Sequence, residues 1–263
     1  MTKILAGRAA LVTGGGQGVG QGIARALAEA GADVVVAQRG LEAATREAEH
    51  LAATYGVRAH ALKVDVTVRE EVDAMVAATV ERLGRLDILV NNAGGSFPKR
   101  LENHTDEDMQ GSFLLNYWSA FWAMRAAFPT MKAQGFGRII NLGSLNGVNA
   151  HMFTVAYNAS KEALRALTRT AAVEWGCHGI TANVICPSST SPAARDYFDA
   201  NPDMAQAILS QVPVGRFGDS TADIGPVALF LASEHSAYMT GNTLFVDGGG
   251  HINGVAWRPE VED

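Results

Sequence analysis

The chain has few of the residues that staple a secreted domain or bind a metal. Only two cysteines, Cys177 and Cys186, stand in 263 residues. That is too few for a disulfide framework, and they are not in C-x-x-C spacing. None of the seven histidines falls in H-E-x-x-H or a comparable ligand spacing, so no metal is expected. Lysine and arginine number 21 against 27 acidic residues, for a net charge of −6. No basic cluster offers the footprint that nucleic acid requires. No apolar run approaches the ~18 residues of a membrane span. The N-terminus enters an apolar strand almost at once, without the pattern of a signal peptide. These absences lead us to expect a reduced, cytoplasmic protein with neither nucleic acid nor membrane as partner.

What is present is alternation. Ala9–Val12, 33–37, 59–64, 86–91, 138–142, 181–185 and 244–246 read as short apolar strands suited to burial on both faces. Helix-periodic stretches lie between them, near 41–54, 68–83, 106–134, 156–176 and 221–232. Such a pattern predicts an α/β fold, a doubly wound parallel sheet in one domain over residues 1–263. Four of the eight prolines, Pro187, Pro192, Pro202 and Pro213, crowd into 187–220, interleaved with short helical pieces. This stretch is expected to form a mobile substrate flap, since proline interrupts regular structure. The tail 251–263, with Trp257, is expected near a substrate pocket.

The first strand runs directly into Thr13-Gly14-Gly15-Gly16-Gln17-Gly18-Val19-Gly20, and Ile23, Leu27 and Ala30 follow at helical spacing. Gly31 suits the position just past the end of that helix. Strand, glycine-rich turn and helix form a dinucleotide phosphate site. Glycines let the backbone approach the pyrophosphate, and the helix N-terminus offers unpaired N–H groups. Gly14, Gly16, Gln17, Gly18, Val19 and Gly20 are therefore candidate cofactor residues.

A second pattern carries acid–base chemistry. Tyr157 and Lys161 stand at i, i+4 in a helix-periodic segment, with Ser144 thirteen residues upstream. A phenol has a pKa of about 10 and is a poor base at neutral pH. A cation ~4 Å away stabilises the phenolate by about 4 kcal/mol at an effective dielectric of about 20. That would lower the phenol pKa by roughly three, within reach of general acid–base work. Ser144 would then hydrogen-bond the reacting oxygen. Alone, Y-x-x-x-K is also what a solvated helix face shows by chance.

With Asn91-Asn92-Ala93-Gly94, Asn116, Ser144 and Tyr157/Lys161 in this order, the chain resembles the short-chain dehydrogenase/reductase family over about residues 6 to 250. The resemblance implies a Rossmann fold and a catalytic set of Asn116, Ser144, Tyr157 and Lys161. It implies that Asn116 holds a water linking Lys161 to solvent and that Lys161 also contacts the nicotinamide ribose. By the same likeness Asp65 and Val66 contact adenine, and Asn92, Ala93 and Gly94 lie beside the nicotinamide. Asp65 would equally suit a cap for the helix after Thr67. Thr190 is the candidate carboxamide contact. The sequence departs from the family here, because Ser188 stands where the family usually has glycine, so this loop is expected to take another path.

NADP(H) is the predicted cofactor, with NAD(H) the alternative. Gln38 occupies the position where NAD-binding chains carry an acid for the ribose 2′-hydroxyl, and Arg39 follows to hold a 2′-phosphate. Candidate substrate residues are Ser96, Phe97, Ser144, Leu145, Asn146, His151, Phe153, Tyr157, Ala193 and Phe198. They are apolar or neutral, without an obvious arginine clamp, so a neutral ketone or secondary alcohol is expected. The alternatives are a 3-oxoacyl-thioester reductase, a cofactor-binding regulator without turnover, and an epimerase or dehydratase. Gly135 and His178 stand where family reductases present basic residues to a carrier protein, which weighs against the first. Bulky apolar residues from Phe113 to Trp122 mark an expected interface, and the resemblance implies a homotetramer built on that helix and the one at 156–176.

Overall fold

The inner strands of the sheet are short, apolar and covered on both faces, as a parallel sheet between helices demands, while the two edge strands are half-buried. The computed structural model describes residues 3–190 and 192–252. Seven strands form one sheet: β1 (Ala9–Thr13), β2 (Asp33–Gln38), β3 (Ala59–Lys63), β4 (Ile88–Asn91), β5 (Gly137–Leu142), β6 (Ile180–Pro187) and β7 (Thr243–Val246). Their order is β3-β2-β1-β4-β5-β6-β7, and every pairing is parallel. The helices are α1 (Gly18–Glu29), α2 (Leu41–Tyr55), α3 (Arg69–Leu83), α4 (Asp106–Phe113), α5 (Ser119–Gln134), α6 (Leu145–Val148), α7 (Val155–Trp175), α8 (Pro192–Ala200), α9 (Pro202–Leu209) and α10 (Gly225–Ala232).

The strand period of two divides the sheet's side chains between two cores. Ala10, Val12, Val34, Val36, Ile88, Val90 and Ile140 pack with Ile23 and Leu27 of α1 and Leu231 of α10. Ala9, Leu11, Val35, Leu89, Ile139 and Ala182 face the other way, against Val72 and Met75 of α3, Met124 and Met131 of α5, and Ala171 and Ala172 of α7. The chain winds outward from β1 to β3, then crosses back to add β4 on the other side of β1. A crevice opens at that reversal, beyond the carboxyl ends of the strands, which is where open α/β sheets bind ligands.

Two local features differ from the sequence reading, and the short helical pieces expected in 187–220 are present. The stretch 106–134 is not one regular helix, because a π-helical turn at Leu114–Trp118 separates α4 from α5 and holds Asn116. Asp65 does not cap the following helix: Val68 is the N-cap of α3, and the Asp65 carboxylate accepts from Thr67 N and Thr67 Oγ1 instead. Residues 187–220 carry two helices, α8 and α9, each begun by a proline, where proline's fixed φ suits the first turn. Of the tail, His251 and Ile252 end the described residues, and Trp257 lies outside them.

Candidate active site

The site is assembled around the glycine turn. Gly14 adopts φ +65° and hands the chain from β1 into α1. The Asn92 side chain ties β4 to this turn, donating to the Thr13 carbonyl at 2.9 Å and the Gly14 carbonyl at 3.2 Å. Thr13 Oγ1 accepts from Asn92 N at 3.0 Å and Ala93 N at 3.1 Å. Gly20 is compulsory in this arrangement, because a Cβ there would lie 2.4 Å from both Asn92 Nδ2 and the Gly14 carbonyl oxygen. At the start of α1, Gln17 makes no side-chain cap and no acidic residue occupies the first turn. The first N–H groups of the helix are thus available to an anion.

From this turn a cleft of about 860 Å³ runs past Gln38, Arg39, Asp65 and Val66, then Asn92, Ala93 and Gly94, to Tyr157. Gln17, Gly18 and Val19 line its near end, and Phe97 its rim. Gly16 sits behind, its N–H donated to Gln38 Oε1 at 2.8 Å. That bond orients the Gln38 amide and leaves Arg39 as the exposed cation at the same end. Asp65 is held below the usual carboxylate range, mainly by its bonds from Thr67, with Arg39 a smaller contributor.

Asn116, Ser144, Tyr157 and Lys161 come together at the far end. Ser144 caps α6, its Oγ accepting from Asn146 N at 3.1 Å. Asn116 is buried and bonded in both directions to Gly95, at 3.1 Å each way. A Cβ on Gly94 would lie 2.7 Å from Asn116 Oδ1 and 3.1 Å from Lys161 Nζ, so both side chains converge on this bare backbone. Behind them an internal void of about 10 Å³ touches Asn116, Lys161 and Thr13, about the room one water needs.

The electrostatics correct the expected activation of Tyr157. Its phenol pKa is raised, not lowered: burial dominates, and the hydrogen bond from Ser144 only partly offsets it. Lys161 Nζ donates to the Leu142 carbonyl at 2.7 Å and lies 5.6 Å from the centre of the tyrosine ring. The lysine charge is not among the causes that shift the phenol, so the lowering expected from i, i+4 spacing is absent. Burial also brings Lys161 down to about 8. In this state Tyr157 is a proton donor, and the lysine keeps its charge at neutral pH.

Other candidates lie apart. Thr190, with Ser188 and Phe198, lines a separate cavity of about 590 Å³ shared with His251 and Phe217. Ser188 does not take positive φ; its N–H bonds the Val246 carbonyl at 2.9 Å, extending the β7 register. Phe153 and His151 line a groove beside α7, and the Ala193 side chain lies outside the described residues. The sequence reading overlooked Thr13, whose hydroxyl orders two backbone amides, although it stands in the glycine motif. It also overlooked His104, Ser112 and Leu115 in the cleft wall. The described residues contain no cluster of three or more metal-ligating side chains, and none of their helices is long and apolar enough to cross a membrane.

Residues 14–251 match a family profile described as enoyl-(acyl carrier protein) reductase. The chain is 35% identical over 253 residues to the 12alpha-hydroxysteroid dehydrogenase of Clostridium sp. (strain ATCC 29733 / VPI C48-50), covering 94% of this chain and 97% of that one. Its fold superposes on the Pseudomonas aeruginosa RhlG/NADP active-site complex with TM-score 0.87 and 37% identity, over 95% of this chain and 98% of that one. It also superposes on a 7 alpha-hydroxysteroid dehydrogenase complexed with NADH and 7-oxo glycochenodeoxycholic acid, at TM-score 0.88 and 33% identity, over 95% and 96%. The chain belongs to the short-chain dehydrogenase/reductase family. It is an NAD(P)-dependent oxidoreductase acting on alcohol and ketone substrates.

Proposed function

We propose that this enzyme interconverts a neutral secondary alcohol and its ketone, with Tyr157 exchanging the proton and NADP(H) as the preferred nicotinamide cofactor. The observation that carries the reading is the cleft itself, which joins an uncapped helix N-terminus at Gln17 to the Ser144-bonded phenol of Tyr157. The residues fit a dinucleotide. Gly20 and Gly94 stand where any side chain would collide, the first turn of α1 presents N–H groups, and Arg39 is exposed beside a neutral Gln38. When bound, the cofactor supplies or accepts the hydride.

The chain's own groups do the rest. In the reducing direction the phenol of Tyr157 donates its proton to the carbonyl oxygen, consistent with a pKa raised by burial. Ser144 steadies that oxygen by hydrogen bonding. Lys161, charged at neutral pH, favours the developing phenolate, and the small void between Lys161 and Asn116 suits a water that passes the replacement proton inward. Val66, Asn92 and Ala93 flank the adenine and nicotinamide ends, and Thr190 is the carboxamide contact we retain from the family pattern. Phe97 and Tyr157 line the cleft, and Leu145, Asn146 and His151 are the substrate contacts we retain from the sequence pattern. A carrier-protein substrate is less well supported, since Gly135 is a bare helix end and His178 packs on the Phe128 ring. Turnover of a panel of neutral ketones, followed at 340 nm with each cofactor, tests the reading; no turnover with any of them would contradict it.

A further inference from the structure

A polar chain runs through the otherwise apolar core beneath the active site. Asn91 Nδ2 donates to Asn141 Oδ1 at 2.8 Å, Asn141 Nδ2 to Thr168 Oγ1 at 2.8 Å, and Thr168 Oγ1 to the Leu164 carbonyl at 2.7 Å. The second N–H of the Asn141 amide reaches Met124 Sδ at 3.4 Å. Asn141 and Thr168 are fully buried and Asn91 nearly so. The strand period places Asn91 on the same sheet face as Leu89, and Asn141 on that of Ile139, against Met124 and Ala171. Burying these amides and the hydroxyl costs desolvation, which their bonds do little more than offset, so apolar groups of the same shape would serve stability as well. What the polar groups add is direction, because each bond holds only in one register of its partners.

The chain joins the three elements that carry the chemistry. Asn91 pairs with Asn141 in the β4–β5 register and immediately precedes Asn92, which ties down the glycine turn. Asn141 precedes Leu142, whose carbonyl accepts from Lys161 Nζ at 2.7 Å, and Ser144 follows two residues later. On α7, Tyr157, Lys161, Leu164 and Thr168 succeed one another along one side of the helix. Adjacent residues of β5 thus hold α7 at two heights, Leu142 through the lysine and Asn141 through Thr168, two turns further along. A helix pinned at one point is free to tilt; pinned at two, it is not. The first pin is a charged group used in turnover. The second has no chemistry of its own, since neither Asn141 nor Thr168 lines the cleft.

We propose that Asn141 and Thr168 are positioning residues, which set the height of α7 over β5 and so hold the Tyr157 hydroxyl within reach of Ser144. The inference rests on the alcohol–ketone reading of the cleft. Thr168→Val keeps the shape of the side chain and removes only the hydroxyl. With a neutral ketone that the wild type turns over, its kcat should fall about tenfold or more, since a misplacement near 1 Å at a reacting group costs about a hundredfold. KM for the ketone and the Kd of NADPH should stay within about twofold, as for an interaction realised only in the transition state. Thr168→Ser restores the hydroxyl and should return most of the rate. In Ser144→Ala, where the group that Tyr157 is aimed at is already gone, adding Thr168→Val should cost little further, because the two changes act through one contact. A fold that is merely loosened would lose the same factor in both backgrounds. If Thr168→Val does not fold, Asn141→Leu takes its place in the same cycle with the same expected pattern. An unchanged kcat, an equal loss in both backgrounds, no recovery with Thr168→Ser, or a cofactor affinity that falls in step with kcat would overturn the proposal. Failure of the wild-type enzyme to turn over any ketone of the panel would instead sink the underlying alcohol–ketone reading.

Discussion

Lys161 Nζ donates to the Leu142 carbonyl at 2.7 Å, which fastens α7 to the end of β5 just two residues before Ser144. This bond fixes where the lysine charge sits, over the Tyr157 ring and 5.6 Å from its centre. Complete burial then makes the charge costly to hold, which is why the group titrates at about 8.

A stability profile follows from that value. The folded lysine loses its proton at about 8, below its ordinary 10.5, so between these values the unfolded chain binds a proton that the fold does not. Stability therefore rises with pH across that window. Cys186, raised by burial from 9.0 to about 11, works the other way above pH 9, leaving pH 8 to 9 as the clean interval. Over that interval the wild-type protein should gain about 1 kcal/mol relative to Lys161→Met, measured by denaturant midpoints without cofactor. A flat difference would contradict the assignment.

Cofactor choice is set at the end of β2. Gln38 gives its carbonyl to Gly16 N, so no carboxylate repels a 2′-phosphate, and Arg39 is exposed beside it. One charge-assisted hydrogen bond is worth roughly 1.5–3 kcal/mol, so kcat/KM should favour NADP(H) about ten- to a hundredfold. Gln38→Asp with Arg39→Ala should reverse the order. An NAD(H) preference in the wild-type enzyme would refute this.

The buried Asp87 should matter for stability and not for turnover. Its carboxylate accepts from Arg8 Nη1 at 3.0 Å, Ala9 N at 2.9 Å, and Arg85 Nε and Nη2 at 2.5 and 2.7 Å. It precedes β4, at the strand end away from the cleft. Asp87→Ala should cost about 2–3 kcal/mol, less than a fully buried pair because both arginines are partly hydrated. Thermal melts read the loss, and kcat should hold.

Assembly is testable by light scattering. Leu114 and Trp118 remain 38% and 40% exposed within an aromatic ladder in which Tyr117 stacks on Phe121 and Trp118 on Trp122. We expect four 27.7 kDa chains joined through α5 and α7, and Trp118→Glu should dissociate them. A wild-type particle of one chain at micromolar concentration would exclude the tetramer.

The sheet was legible in the sequence because its strands are brief apolar runs bounded by glycines and polar turns, and every one lies where its run predicts. The glycine turn was legible for the same reason, since a strand and an amphipathic helix bracket it closely. Other features depend on hydrogen bonds that periodicity does not encode. Nothing in Leu114–Trp118 announces a π-turn, which exists only through its i→i+5 bonds. The i, i+4 spacing of Tyr157 and Lys161 gave the right helix, but the direction of Lys161 depends on a carbonyl nineteen residues away. Phe153 reads as an ordinary apolar residue, yet it adopts φ 68°.

The most direct test of the account compares wild-type enzyme with Tyr157→Phe, following absorbance at 340 nm during reduction of a neutral ketone that the wild type turns over. The variant keeps the ring and loses only the exchangeable proton. Cofactor affinity should be unchanged while turnover falls by about 10²–10⁴-fold. Near-normal turnover in Tyr157→Phe would contradict the mechanism.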